Sequence, residues 1–225
     1  MMRSRWTKGL AALGSVCGLM FAMAGAPAQA TAILTVSDGT NSWTASGDGS
    51  SVISLTAADN SWVVFGGGVT KPSVGSAYAP DLHFGAFGLG IGDLKVSFSD
   101  DGFAGSGGST DFLTEFGADL GGVVPGDSSL TLSSWSTAGG LAQLGPFFGP
   151  GAYSASEMDA QTLTGSYGLT LYADLTHSAL AVSSFDASVK EVPEPGTLCL
   201  FGAGLLGAAF FVRRRRMPAL ASTRV

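Results

Sequence analysis

Between Thr31 and Glu191 no long stretch carries apolar residues at helical spacing; instead, short runs alternate apolar with small polar side chains. Period-two alternation puts every second side chain on one face of a strand, so the pattern commits this stretch to β-structure. Runs at Ile33–Val36, Val52–Leu55, Trp62–Phe65, Leu82–Phe84, Leu94–Phe98, Leu130–Leu132, Leu163–Tyr167 and Leu169–Ala173 predict strands. Ala181–Phe185 and Ala187–Val189 predict the last one. Ser37-Asp38-Gly39, Gly47-Asp48-Gly49, Gly66-Gly67-Gly68, Ser99-Asp100-Asp101-Gly102 and Pro125-Gly126-Asp127 between them are turn chemistry.

Many short strands at close spacing predict an all-β domain, a single β-sandwich of jelly-roll type spanning residues 31–191. Trp43, Trp62, Phe65, Phe84, Phe98, Phe116, Trp135, Tyr167 and Tyr172 are the expected core aromatics. Short helices are expected near Phe112–Leu120 and Ser156–Asp159, and a long loop over residues 139–154. The triplet Asn-Ser-Trp occurs at Asn41–Trp43 and again at Asn60–Trp62, too short a match to establish duplication.

Both ends differ from this middle. Arg3, Arg5 and Lys8 precede an apolar run from Leu10 to Ala24, and Ala28-Gln29-Ala30 has the small-x-small form of a signal-peptidase site. Residues 1–30 therefore read as a signal peptide, a helix cut after Ala30; Ala26-Pro27-Ala28 offers a second site after Ala28. Cys17 follows Val16 in mid-run, which is not a lipobox. At the other end Val192-Pro193-Glu194-Pro195 precedes an uncharged apolar run, residues 196–212, and then Arg213, Arg214, Arg215 and Arg216. A helix over that run reaches about 24 Å, slightly short of a ~30 Å hydrocarbon core. Apart from Lys71, Lys95 and Lys190 the basic residues lie in the two ends. The positive-inside rule then puts both ends in the cytoplasm, with residues 31–191 outside the inner membrane and 217–225 as a cytoplasmic tail.

Two prolines around Glu194 remove two backbone donors and hold the segment extended, outside helix or central strand. The order Pro-Glu-Pro, short transmembrane helix, arginine cluster, behind an N-terminal signal, resembles the PEP-CTERM proteins of Gram-negative bacteria. Ser183-Ser184-Phe185-Asp186-Ala187 is likewise similar to the last strand of several such proteins. The resemblance implies that residues 192–216 are a sorting signal: Val192, Pro193, Glu194 and Pro195 the recognition motif, residues 196–212 the membrane helix, and Arg213 to Arg216 the stop signal. It implies an exosortase-type membrane protease as partner. It further implies anchoring in the inner membrane with the domain in the periplasm, then a cell-surface or extracellular-matrix location, in biofilm or with exopolysaccharide.

The domain offers no enzyme signature. His83 and His177 are its only histidines, and the Zn-protease, serine-hydrolase and P-loop spacings are all absent. Glu115 with Asp119, or Glu157 with Asp159, could be cast as an acid–base pair, yet nothing in their neighbourhood marks either as tuned. The expectation is therefore a non-enzymatic protein with no catalytic residue and no metal centre. A carbohydrate-binding module or carbohydrate-active β-sandwich enzyme is the alternative. Calcium is the one cofactor the loops suggest, through Asp38, Asp48, Asp100, Asp101 and Asp111, although no Asp-x-Asp-x-Asp-Gly loop is present. Cys17 and Cys199 both lie outside residues 31–191, so the domain has no thiol. Sixteen of the chain's 17 acidic residues fall in that stretch against three lysines, a balance that repels nucleic acid.

Overall fold

In a computed structural model, which describes residues 31–49, 51–71, 73–105, 107–192 and 204–205, the alternating runs become strands. The described residues form β1 (Ala32–Ser37), β2 (Ser42–Gly47), β3 (Ile53–Ala58), β4 (Trp62–Val69), β5 (Asp81–Ala104), β6 (Ser109–Leu120), β7 (Ser128–Ser136), β8 (Gly139–Gly149), β9 (Gly151–Thr162) and β10 (Ser166–Val192). All pairings are antiparallel, and the domain is all-β as the pattern requires.

The expected jelly-roll of two separate sheets is replaced by one continuous sheet. β5 and β10 are unusually long, 24 and 27 residues, and pair with each other along nearly their whole length. Their first and second halves recruit different neighbours. The C-terminal half of β5 and the N-terminal half of β10 lie between β1–β2 and β7–β8. The other halves lie between β4–β3 and β6–β9. The two six-stranded wings meet where the register shifts between His177 and Ala181, opposite Gly90 to Gly92. Gly92 has φ +94°, which an L side chain rarely adopts.

Inward faces of the wings close on one hydrophobic core. Phe112 of β6 meets Tyr167 of β10 edge-on at 6.1 Å, Phe116 stacks on Phe147 of β8 at 5.1 Å, and Thr114 and Ser134 share a buried hydroxyl hydrogen bond of 2.7 Å. The packing is thus sandwich-like although the hydrogen bonding never breaks.

Several expectations change with this topology. Phe112–Leu120 and Ser156–Asp159 belong to strands β6 and β9, because Thr110, Phe112, Thr114 and Phe116 alternate inward. Residues 139–149 of the expected long loop are strand β8. Gly66-Gly67-Gly68 is the end of β4, and Asp100-Asp101-Gly102 is a bulge within β5 where the pairing with Tyr167 and Leu169 shifts. Leu163 and Thr164 lie between β9 and β10, outside both strands. Trp62, Phe84, Phe98, Phe116 and Tyr167 are buried as expected, Trp43 and Tyr172 only partly, whereas Phe65 and Trp135 are exposed on outward faces. Phe103 and Phe112 fill the core in their place.

Candidate functional site

The last strand carries the domain into the sorting segment. β10 pairs with β5 to Lys190 and with β6 through Glu191↔Phe112 and Val192↔Asp111, and the Glu191 amide donates to Pro80 O at 3.1 Å. Glu191 follows Val189 on the inward-facing alternation, and burial pushes its carboxyl above the usual range. The Tyr167 phenol is pushed up as well, chiefly by burial and secondarily by the negative charge of Glu191. Val192, the first residue of the expected motif, is therefore folded into a central strand. Pro193, Glu194 and Pro195, the helix at 196–212 and Arg213 to Arg216 lie outside the described residues, except that Gly204 and Leu205 are helical. The signal peptide 1–30 with Ala28 and Ala30, and the tail 217–225, lie outside them too. Among the described residues no helix is long and apolar enough to cross a membrane.

Of the two carboxylate pairs considered for acid–base work, the first is spread along one strand and the second stays together on another. Glu115 and Asp119 are four residues apart on the outward face of β6, about 13 Å along the strand. Glu115 is held by Lys190 at 2.6 Å, and that contact is the main cause raising the Lys190 amine. Glu157 and Asp159 lie on the other face of the sheet, opposite Thr114 and Phe112, and Glu157 accepts from the Gln143 amide at 3.2 Å.

Two of the aspartates considered for calcium, Asp38 and Asp100, have their carboxylates held by other groups. Asp38 accepts from the Thr40 and Asn41 amides at 2.8 and 2.5 Å in the β1–β2 turn; the Asn41 amide and then Asp59 are the main causes that hold its carboxyl down at about 2. Asp59 does the same for Ser61 and Trp62, and the Asn41 side chain bridges the two turns to Asp59 at 3.1 Å. The two Asn-Ser-Trp turns are therefore neighbours. Asp100 is buried against Lys71, and Asp111 pairs with Ala160 in the β6–β9 ladder. Among the described residues no group of three or more His, Cys, Asp or Glu converges on a metal position.

His83 lies on an outward strand face with Nε2 2.7 Å from Asp81. His177 is buried at the line where the wings meet, its ring 4.9 Å from Trp62. Nδ1 lies 3.0 Å from Gly90 O and so donates; Nε2, 2.8 Å from Ser183 Oγ, accepts, and Ser183 Oγ in turn accepts from the Gly121 amide at 3.0 Å. Every atom of the chain is used by the neutral ring. Desolvation accordingly lowers the His177 pKa. A histidine whose folded pKa lies below its unfolded value, ~6.5, contributes stability that is present above that value and fades as pH falls towards the folded one. Thermal melts of the wild type should thus lose more on going from pH 7.5 to 5 than those of His177→Gln. Parallel losses would remove the ring from the account.

The described fold is an all-β domain whose last strand, β10, ends at Val192. Residues 191–216 match the family model described as the PEP-CTERM protein-sorting motif, so the chain carries that signal. The motif implies an exported protein, anchored in a membrane and then processed by exosortase, itself a membrane protein. No curated protein matches the chain. Among solved structures, a chain from the structure of infectious bursal disease virus Gx strain is similar at 10% identity and a TM-score of 0.32, over 75% of this chain. The aligned part spans 52% of the viral chain, and the likeness carries no argument about fold or role.

Proposed function

We propose that residues 31–191 are a non-catalytic β-domain that the terminal signal delivers to the cell surface or extracellular matrix, where it associates with exopolysaccharide. Signal peptide 1–30 directs export, the helix at 196–212 with Arg213 to Arg216 holds the chain in the inner membrane, and the domain stands in the periplasm until an exosortase-type protease acts at residues 192–195.

The supporting observation is the overlap of fold and signal: Glu191 and Val192 belong both to β10 and to the matched motif. Ladder hydrogen bonds fix that end of the strand, so the enzyme would reach the motif from Pro193 onward, with Val192 held at its edge. Pro193 and Pro195 keep that backbone out of further sheet pairing.

Intact mass of the exported protein tests this reading. Cells with the membrane protease should yield a chain lacking the tail, and cells without it a chain retaining residues 196–225. Changing Pro193, Glu194 and Pro195 together to Ala should restore the tail in the presence of the enzyme. The same tail in all three samples would remove the sorting role.

A further inference from the structure

The outward face of the wing built from β3, β4, β5, β10, β6 and β9 carries a row in which glycine occupies three of six positions. Paired positions run Ser54–Gly67–Gly85–Asp186–Gly117–Ser154 across all six strands. At about 4.8 Å per strand the row extends about 24 Å. The neighbouring row presents Phe65 and Phe87, ring centroids 6.3 Å apart and both exposed. The row on the other side runs Val69, His83, Ser188 and Glu115, consecutive partners in register, with Ser188 itself buried. Between these rows lies a trough; the pocket around Gly67, Gly85 and Asp186 holds about 300 Å³ and is walled by Val52, Val69 and His83, with the two rings standing beyond its rim.

The fold does not ask for glycine at Gly67 and Gly85. Neither has a left-handed φ; a Cβ at Gly67 would come no nearer than 3.5 Å, to Val52, and one at Gly85 no nearer than 3.4 Å, to Phe185 O, ordinary contact distances. Inward glycines of the same strands are different: a Cβ at Gly68 would stand 2.7 Å from the Phe98 ring, and one at Gly90 would stand 2.4 Å from Trp62. Glycine inside a strand is destabilising relative to alanine and marks close approach by something else. What lies near Gly67 (Val52 and Ile53 O) and Gly85 (Phe185 O and Asp186) stays at ordinary contact distance and would tolerate a side chain, so the space these glycines keep open faces outward.

The trough is amphipathic in cross-section, with aromatic rings on one bank, His83 and Glu115 beside Val52 and Val69 on the other, and the Asp186 carboxylate on the floor beside Gly117. Asp186, Glu115 and Asp119 outweigh Lys190 on this face, which disfavours polyanions. A polypeptide is a poor fit as well, because the trough crosses the middle of the sheet, where the ladder already uses the backbone donors and acceptors. A sugar ring has a C–H face and an equatorial rim of hydroxyls, and no backbone to satisfy. The geometry points to a binding site for a neutral polysaccharide chain, laid across the strands with rings against Phe65 and Phe87 and hydroxyls donating to Asp186. This rests on the exopolysaccharide reading above and supplies its site.

Affinity electrophoresis of the full-length protein in detergent tests it, in native gels containing hydroxyethyl cellulose, dextran or galactomannan, with alginate as the anionic comparison and the producing cells' own extracted exopolysaccharide as a fifth gel. Retardation is expected in at least one neutral gel, and not in alginate. Gly85→Leu, which fills the trough, and Phe65→Ala/Phe87→Ala, which strips its bank, should each weaken it about tenfold or more. Gly67→Ala should leave the melting temperature unchanged or raise it. No retardation by any of the neutral polymers, retardation equal in Gly85→Leu, or a dimer broken by Phe65→Ala without glycan binding would overturn the site. Retardation by the cells' exopolysaccharide that survives both variants would reject the trough yet keep the matrix reading; its absence in the wild type would count against the matrix reading itself.

Discussion

Lys71→Met should cost about 3–5 kcal/mol, the typical loss when one partner of a buried ion pair is removed. Lys71 and Asp100 meet at 2.8 Å with side chains 10% and 1% exposed, and Thr70 Oγ1 donates to the same carboxylate oxygen at 2.7 Å. The ammonium also donates to Asp101 O and lies 3.8 Å from the centroid of the Phe103 ring. Methionine keeps the stem over that ring and removes only the charge, so the penalty comes from a carboxylate left buried without its cation. A domain of this size has a total stability of about 5–15 kcal/mol, so the variant should be largely unfolded at 37 °C or melt far below the wild type. Adding Asp100→Asn should recover part of the loss. Circular dichroism melts of the three proteins check this, and a double variant no more stable than the single one would show that packing, rather than the charge, is what Lys71 contributes.

That ion pair also shows where the sequence stops being informative. Lys71 and Asp100 are 29 residues apart, one in the loop after β4 and one at a bulge of β5. Asp100-Asp101-Gly102 has the residues of a turn and of a cation loop, and only the pairing of β5 with β10 turns it into a bulge facing Lys71. Strand content was legible wherever apolar residues alternate, as in β1, β4 and β7. It was illegible in β6, where Phe112, Leu113, Phe116 and Leu120 also fit helical spacing, and in β8, where glycines and Pro146 read as loop. β8 pairs only with β7, so Pro146 needs no second partner, and the register steps from Leu130↔Phe147 to Leu132↔Leu144 around it. The length of β10 was hidden for a similar reason: Ser178 to Leu180 look like a break and are instead the irregularity at which the wings fold.

The sorting segment was legible because it is a linear signal, read in order without tertiary contacts. The trough could not have been found that way. Its glycines come from three strands, and in a chain with 34 glycines none of them stands out until the register aligns Gly67, Gly85 and Gly117. Phe65 was expected inside the core from its place in an apolar run; the structure turns it outward, beside Phe87, and that displacement first marks the face.

Trp62→Ala should be the most damaging single truncation in the core, at about 3–5 kcal/mol for a buried tryptophan. Trp62 is 2% exposed and stands at the line where the wings meet, with His177 on one side and Gly88 and Gly90 on the other, where a Cβ would come within 3.2 and 2.4 Å of its ring. Those glycines exist to admit the indole, so its removal leaves a space that no neighbour is long enough to fill. The loss also reaches beyond packing, because the ring covers His177 and the relay through Ser183 to Gly121. In Trp62→Ala water should reach that relay, and the acid sensitivity predicted for His177 should shift towards that of an ordinary exposed histidine. Trp62→Phe should cost much less: it keeps an aromatic ring at the same place and deletes Nε1, which is buried with no hydrogen-bond partner. Denaturant midpoints for both variants at pH 7.5 and pH 5 separate the two contributions. Equal midpoints for Trp62→Ala and Trp62→Phe would show that the wings meet without help from this side chain.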